Sequence, residues 1–141
     1  MESVSELPTR VVIVDDDIVV SEIMALSISK DRGLSLVGIA HTAGDAAKFV
    51  YREHPDVILL NYRKSGENYA AIVRELSEQS PDSRIVLVSG LRNQELDPDA
   101  TVAGCVGIVG RDSSIAEILR AIRRAARREL VTSTSRAVAH R

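Results

Sequence analysis

The sequence has little of the residues on which disulfide-bonded, metal-bound and membrane-spanning proteins depend. Its single cysteine, Cys105, excludes an internal disulfide and any metal site built from several cysteines. Aromatic residues make up 3% of the 141 residues and tryptophan is absent, which leaves little stacking surface for single-stranded nucleic acid. No apolar run approaches the ~18 residues that span a bilayer, and residues 1–10 lack a hydrophobic signal-peptide core. We therefore expect a soluble cytoplasmic protein with no membrane partner.

Aliphatic residues and charges are what the sequence has in quantity. Hydrophobic residues make up 45% of the chain, enough for an aliphatic core, and the length is that of one domain. Residues 1–110 hold 17 acidic and 10 basic side chains, whereas residues 111–141 hold 3 acidic and 8 basic ones. An acidic body and a basic C-terminal segment are expected to face different neighbours.

Short apolar runs alternate with segments of helical periodicity along the chain. Five runs are typical of strands buried on both faces, namely residues 10–14, 34–40, 57–60, 84–88 and 106–110. A helix is predicted after each run. Asp16 or Asp17 is the expected N-cap of the first helix, and Ser113 or Ser114 that of the fifth. The alternation predicts an α/β fold with a five-stranded parallel sheet and five helices.

The domain boundaries follow from the ends of this alternation. Residues 1–9 are predicted to be a flexible N-terminus, residues 10–129 the folded domain, and residues 130–141 a linker or tail with no partner element. Pro98 falls inside the fourth predicted helix, residues 91–103, so we expect that helix to begin late.

Four stretches of the sequence carry a family resemblance in the expected order and spacing: VVIVDDD, HPDVILLN, RIVLVSG and AGCVGIVGRDSSIAEILRAI. Together they resemble the receiver domain of bacterial response regulators over about residues 10–129. The string LSLVGIAHTAGDA is most similar to the receivers of LuxR-type helix-turn-helix regulators. The resemblance implies a CheY-like, flavodoxin-like, doubly wound sheet with strand order 2-1-3-4-5. It also implies a role in two-component signal transduction.

Three positions match the residues of the family's phosphorylation site. Asp15 and Asp16 match the acidic pair that holds Mg²⁺. Ser89 matches the hydroxyl residue that contacts the phosphoryl group. The resemblance therefore implies an acidic pocket at the carboxyl edge of the sheet.

Three other positions depart from the family's pattern. Asn61 stands where the phosphoaccepting aspartate belongs, Arg111 where the lysine belongs, and Ile108 where the aromatic switch residue belongs. An amide is a poor nucleophile and removes one anionic ligand, so Asp15 and Asp16 are expected to bind Mg²⁺ weakly or not at all. We expect Arg111 to pair directly with one of these two carboxylates. The phosphoacceptor, the basic residue and the switch residue thus all differ from the family's pattern. This combination favours a receiver that works without phosphorylation and without a cofactor.

The last predicted helix carries a basic face opposite its apolar one. Four arginines on this face are candidates for a protein interface: Arg120, Arg123, Arg124 and Arg127. A solvated face explains the same pattern equally well. Direct DNA binding by this helix is not expected, because no recognition motif accompanies it.

The sequence therefore predicts a non-enzymatic signal-receiving and dimerisation domain of an atypical response regulator that controls transcription. Its expected partners are a second copy of the chain and a C-terminal helix-turn-helix DNA-binding domain beyond residue 141. A small-molecule ligand beside residues 90–99 stays open as the input. Two alternative functions also stay open: a phosphate-competent, Mg²⁺-dependent receiver switch, and a free-standing single-domain protein that binds a partner.

Overall fold

The computed structural model describes residues 7–61, 69–89, 105–127 and 131–132. Its strands are β1 (Thr9–Asp15), β2 (Leu34–Ala40), β3 (Val57–Asn61), β4 (Arg84–Ser89), β5 (Cys105–Gly110) and β6 (Val131–Thr132). Its helices are α1 (Ile18–Ser29), α2 (Ala43–Glu53), α3 (Tyr69–Gln79) and α4 (Ile115–Ala126). The helix predicted over residues 91–103 lies outside the described residues. None of the described helices is long and apolar enough to cross a membrane.

All the strand pairs are parallel, and the strands lie in the order β2-β1-β3-β4-β5-β6. The predicted order 2-1-3-4-5 is confirmed. A sixth strand extends the sheet, because Val131 pairs with Gly107 and Thr132 pairs with Ile108. The expectation that residues 130–141 have no partner element is therefore wrong for these two residues. The rest of that segment lies outside the described residues.

The core consists of two apolar clusters, one on each face of the sheet. Successive side chains of a strand point to opposite faces, so the unbroken apolar runs of β1 and β3 contribute to both clusters. One face is covered by α1 and α4, whose buried side chains there include Met24, Ile28, Ile118 and Ile122. The other is covered by α2 and α3, whose buried side chains there include Ala46, Val50, Val73 and Leu76.

The helix starts follow the expected capping chemistry. The Asp17 side chain accepts a hydrogen bond from the N–H of Val20 at the start of α1. Ser114 and Glu117 form a reciprocal capping box at the start of α4, with hydrogen bonds of 2.9 and 3.1 Å. Both N-caps were among the predicted residues. These caps fix where each helix leaves the carboxyl edge of the sheet.

The second strand has a bulge against β1 and, next to it, a glycine under the ring of Phe49. Val11 pairs with Leu36 but Val12 pairs with Gly38, so one residue of β2 is left unpaired. The ring of Phe49 on α2 packs against Gly38, and a β-carbon added there would overlap that ring. Gly38 thus leaves room for the ring of Phe49, which any larger residue would force to shift.

Candidate functional site

The carboxyl edge of the sheet brings Asp15 and Asn61 side by side. They are the last residues of β1 and β3, and they are paired in the parallel register of these strands. Both side chains are buried, with 1% and 6% of their surface exposed. β5 ends at Gly110, so the next residue, Arg111, emerges at the same edge.

A directional chain of hydrogen bonds joins these three side chains. Asn61 Nδ2 donates to Asp15 Oδ2 over 3.1 Å. Arg111 donates to Asn61 Oδ1 from both Nε and Nη2, over 3.1 and 3.0 Å. The amide of Asn61 therefore lies between a carboxylate and a guanidinium and binds both.

The amide is the group whose polarity fits this place. An ionised carboxylate only accepts hydrogen bonds and a guanidinium only donates them, whereas a carboxamide does each at a different atom. The neighbours also fix the orientation of the amide, because its oxygen must face Arg111 and its nitrogen must face Asp15. An aspartate at position 61 would place an acceptor against the carboxylate of Asp15.

The prediction for Arg111 was therefore wrong about the residue that it contacts. We expected a direct ion pair with Asp15 or Asp16, and among the residues that the structure describes Arg111 forms neither pair. Asn61 lies between the guanidinium and the carboxylate of Asp15 and takes both hydrogen bonds. Arg111 thus holds the amide in place and leaves Asp15 without a direct cationic partner in the described part of the chain.

Burial raises the pKa of Asp15 above its ordinary value of 3.8, because the surroundings disfavour the charged carboxylate. The hydrogen bonds from the Asp17 N–H and from Asn61 lower the pKa, and the charges of Asp16 and Asp17 raise it. The Asp17 N–H donates to Asp15 Oδ1 over 2.8 Å, so both carboxylate oxygens are engaged. The pKa stays raised because the cost of burial is the largest of these effects.

His41 is a site neighbour that the sequence analysis missed. Its Nδ1 lies 2.9 Å from the backbone oxygen of Asp15, which ties the end of β2 to the end of β1. The signal was present in the sequence, because His41 directly follows the second predicted strand and parallel strands end at one edge.

The arrangement does not fit a bound Mg²⁺. A magnesium ion takes oxygen ligands, yet the Asn61 oxygen is engaged by Arg111 and both Asp15 oxygens accept hydrogen bonds. Within the described residues, no group of three or more His, Cys, Asp or Glu side chains could hold a metal ion. Asp16 is half-buried beside Asp15 and has interactions of its own.

Two other predicted site residues lie on the neighbouring strands. The backbone of Ser89 ends β4 and pairs with Gly110, while its side chain lies outside the described part. Ile108 is buried in the core cluster beside Leu87, with which it is paired. An isoleucine in this position packs as an ordinary core residue.

Three of the predicted interface arginines lie on α4, and the fourth, Arg127, is its C-cap. Arg120, Arg124 and Arg127 are exposed, whereas Arg123 is half-buried and forms an ion pair with Asp31 just beyond the end of α1. This pair fixes α4 beside α1 on the same face of the sheet. Of the four arginines, Arg123 is thus the one that contacts the end of α1.

The strand order and the acidic pocket at the carboxyl edge define a receiver-type signalling domain. The family model of the response regulator receiver domain matches residues 11–123. The chain belongs to this family.

The similar proteins include a transcriptional activator and an enzyme. The DNA-binding transcriptional activator DevR/DosR of Mycobacterium tuberculosis is 31% identical over 114 residues, which cover 81% of this chain and 52% of the relative. A protein-glutamate methylesterase/protein-glutamine glutaminase of Myxococcus xanthus is 31% identical over 110 residues, covering 77% and 32%. The solved receiver domain of NarL from Mycobacterium tuberculosis matches with a TM-score of 0.75 at 27% identity, covering 85% of this chain and 97% of that one. The chain thus spans a third to a half of these curated relatives.

Proposed function

We propose that this chain is the signal-receiving and dimerisation domain of an atypical response regulator, and that it works without phosphorylation. The observation that carries the proposal is the chain of hydrogen bonds from Arg111 through Asn61 to Asp15. It occupies the place where a receiver needs a carboxylate nucleophile and a metal ion. An amide in this place supplies neither charge nor nucleophile.

The hydrogen-bond chain is permanent in this proposal, whereas a phosphoryl group would be added and removed. In this proposal Arg111 is a positioning residue that stays bound to Asn61 in every state of the protein. Because no phosphoryl group has to arrive, the end of β3 and the start of the segment after β5 stay joined. The site is a structural element, and the signal enters elsewhere, through a partner or a small-molecule ligand.

The partners in this proposal are a second copy of the chain and a C-terminal helix-turn-helix DNA-binding domain. The DevR/DosR relative is named as a DNA-binding transcriptional activator and is about twice as long as the matched part. By analogy, the domain would regulate transcription in the cytoplasm and would itself catalyse no reaction. Direct contact with DNA is left to the other domain.

Beryllofluoride, which mimics a phosphoryl group on aspartate, tests the proposal. With Mg²⁺ and beryllofluoride added at about 10 mM, we expect no ¹⁹F NMR signal from bound beryllofluoride. We also expect no change in the sedimentation of the protein. The matched positive control is Asn61→Asp, which restores the carboxylate. A bound signal on the unmodified protein would overturn the proposal.

A further inference from the structure

The side chain of Asn61 is one hydrolysis step away from an aspartate. Hydrolysis of an asparagine amide takes up one water, releases ammonia and leaves a carboxylate. On most of a protein surface this change only adds a charge. At the end of β3 it would create the carboxylate nucleophile that phosphoryl transfer to a receiver needs. A spontaneous modification of Asn61 would therefore change the kind of signal that the domain is able to receive.

The hydrolysis of an asparagine usually begins within the chain itself. The backbone nitrogen of the following residue attacks Cγ, and the bond between Cγ and Nδ2 breaks. The proton lost by the backbone nitrogen leaves with Nδ2 as part of ammonia. Water then opens the five-membered imide ring, which gives aspartate or its isoaspartyl isomer. Before the ring can close, the amide must be free to turn and to approach the backbone.

The hydrogen bonds of Asn61 oppose this movement. Nδ2, the leaving nitrogen, donates to Asp15 Oδ2 over 3.1 Å. Oδ1 accepts from Nε and Nη2 of Arg111 over 3.1 and 3.0 Å. The amide must give up all three hydrogen bonds before Cγ can reach the backbone nitrogen. Since hydrogen bonds to charged groups are the stronger class, the reactive conformation is rarely populated.

The strand and its burial oppose hydrolysis as well. Asn61 pairs with Asp15 in the ladder between β1 and β3, and a strand side chain stands roughly perpendicular to the sheet. Ring closure would move Cγ back toward the chain, so residue 61 would have to leave this ladder. Only 6% of the surface of Asn61 is exposed, which leaves little room for direct attack by water. The backbone and the side chain thus hold the amide away from both routes of hydrolysis.

Arg111 makes the contact that fixes the orientation of the amide. Asp15 accepts a single hydrogen bond from Nδ2, about which the amide could still turn. The two donors of Arg111 hold Oδ1 from a planar group, which blocks rotation about the bond between Cβ and Cγ. A lysine would offer a compact point charge in place of this planar fork. An arginine at position 111 is thus better suited to immobilising an amide.

We propose that Asn61 is a latent phosphoacceptor, a site of hydrolytic modification, and that Arg111 is the positioning residue that keeps its amide from hydrolysis. The inference rests on the proposed function, in which the amide is the working form of the site. It goes further in giving Arg111 a task that a merely structural contact would not have. Without this residue the site would convert with time into a carboxylate site.

Peptide mapping by mass spectrometry, after the full chain has been kept for weeks in mildly alkaline buffer, tests the protection. Each converted amide is detected by its mass increase. Conversion of Asn61 in the folded chain should be at least about 10-fold slower than in urea. Asn68 is the internal reference, because Tyr follows both residues and both should react at similar rates in urea. Equal rates at Asn61 in the folded chain and in urea would overturn the proposal.

Arg111→Met tests the role of the arginine. We expect it to speed conversion of Asn61 by at least about 10-fold and to leave the rate at Asn68 unchanged, with Arg111→Lys in between. Gly38→Ala is the matched control, since it destabilises the sheet at β2 and keeps all three hydrogen bonds of the amide. A slow Arg111→Met, or a Gly38→Ala that converts equally fast, would overturn the assignment to Arg111.

Beryllofluoride tests whether the modified site is an acceptor. Asn61→Asp, the product of hydrolysis with Arg111 retained, should bind it, and no binding would overturn the description of Asn61 as a latent acceptor. The conversion rates are measured without Mg²⁺ or a phosphoryl donor, so their failure leaves the phosphorylation-independent function standing. Beryllofluoride bound to a chain whose mass shows an intact Asn61 would instead overturn the proposed function.

Discussion

Replacing Asn61 by aspartate would put a second carboxylate where the amide now joins Asp15 to Arg111. The hydrogen bond of 3.1 Å from Asn61 Nδ2 to Asp15 Oδ2 would become a contact between two acceptors. Both positions are buried, so water cannot fully screen the new charge. We therefore expect Asn61→Asp to be less stable than the unmodified protein in the absence of divalent cations.

The magnitude follows from the contacts. At an effective dielectric constant of about 20, two charges near 3 Å apart interact by roughly 5 kcal/mol. Repulsion from Asp15 and attraction to Arg111 are therefore of similar size and largely cancel. What remains is the lost hydrogen bond to a charged group, about 1.5–3 kcal/mol, and part of the cost of burying another charge. We expect a net loss of about 2–4 kcal/mol in the free energy of unfolding.

Urea denaturation with and without Mg²⁺ measures this effect. Because the new carboxylate pair is a site for a hard cation, 10 mM Mg²⁺ should restore about 1–2 kcal/mol to Asn61→Asp for an affinity near the millimolar range. Asn61→Ala is the matched control, since it also loses the hydrogen bonds but adds no charge and should not respond to Mg²⁺. An Asn61→Asp variant that is as stable as the unmodified protein and insensitive to Mg²⁺ would refute the reasoning, because Arg111 alone would then neutralise the pocket.

Three further predictions concern the sheet and its edge. Gly38→Ala should lower the free energy of unfolding by about 1–3 kcal/mol in urea denaturation, and Phe49→Leu should relieve most of this loss, whereas additive losses would contradict the packing argument. Deleting residues 131–141 removes β6, so the melting temperature should fall by more than about 2 °C, and an unchanged value would show that β6 adds no stability. The ¹³C shift of the Asp15 carboxyl should titrate above pH 3.8, and a midpoint at or below 3.8 would contradict the burial argument. With the folded pKa raised, the contribution of Asp15 to stability is greatest below pH 3.8 and declines as the pH rises through the folded pKa.

Much of the fold was predictable because its signals are local. Unbroken aliphatic runs identify the strands of a sheet covered on both faces, and Asp17 and Ser114 cap helices by hydrogen bonds within one turn. The proximity of Asp15 and Asn61 was also predictable, since both end neighbouring parallel strands. These features depend on a few adjacent residues and on a topology that allows few alternatives.

The features that sequence reasoning missed depend on details of distance and packing. Whether Arg111 contacts the carboxylate of Asp15 or the amide of Asn61 depends on ångström-scale differences in position. The spacing of residues along the sequence does not give such differences. Which side of α1 is buried could not be predicted either, because a helix that is apolar almost all around has no pattern that distinguishes its two sides. Val131 and Thr132 pair with β5 through their backbone groups. A strand of two residues is too short to give a recognisable pattern in the sequence.

Intact-protein mass spectrometry after incubation with acetyl phosphate and Mg²⁺ tests the central claim most directly. The account predicts no phosphoryl adduct on the unmodified protein, because the amide of Asn61 is held between Asp15 and Arg111 and is no nucleophile. The same treatment of Asn61→Asp gauges whether the rest of the site is still able to support the reaction. A phosphoryl adduct on the unmodified protein, located by fragmentation at the carboxyl edge of the sheet, would contradict the account.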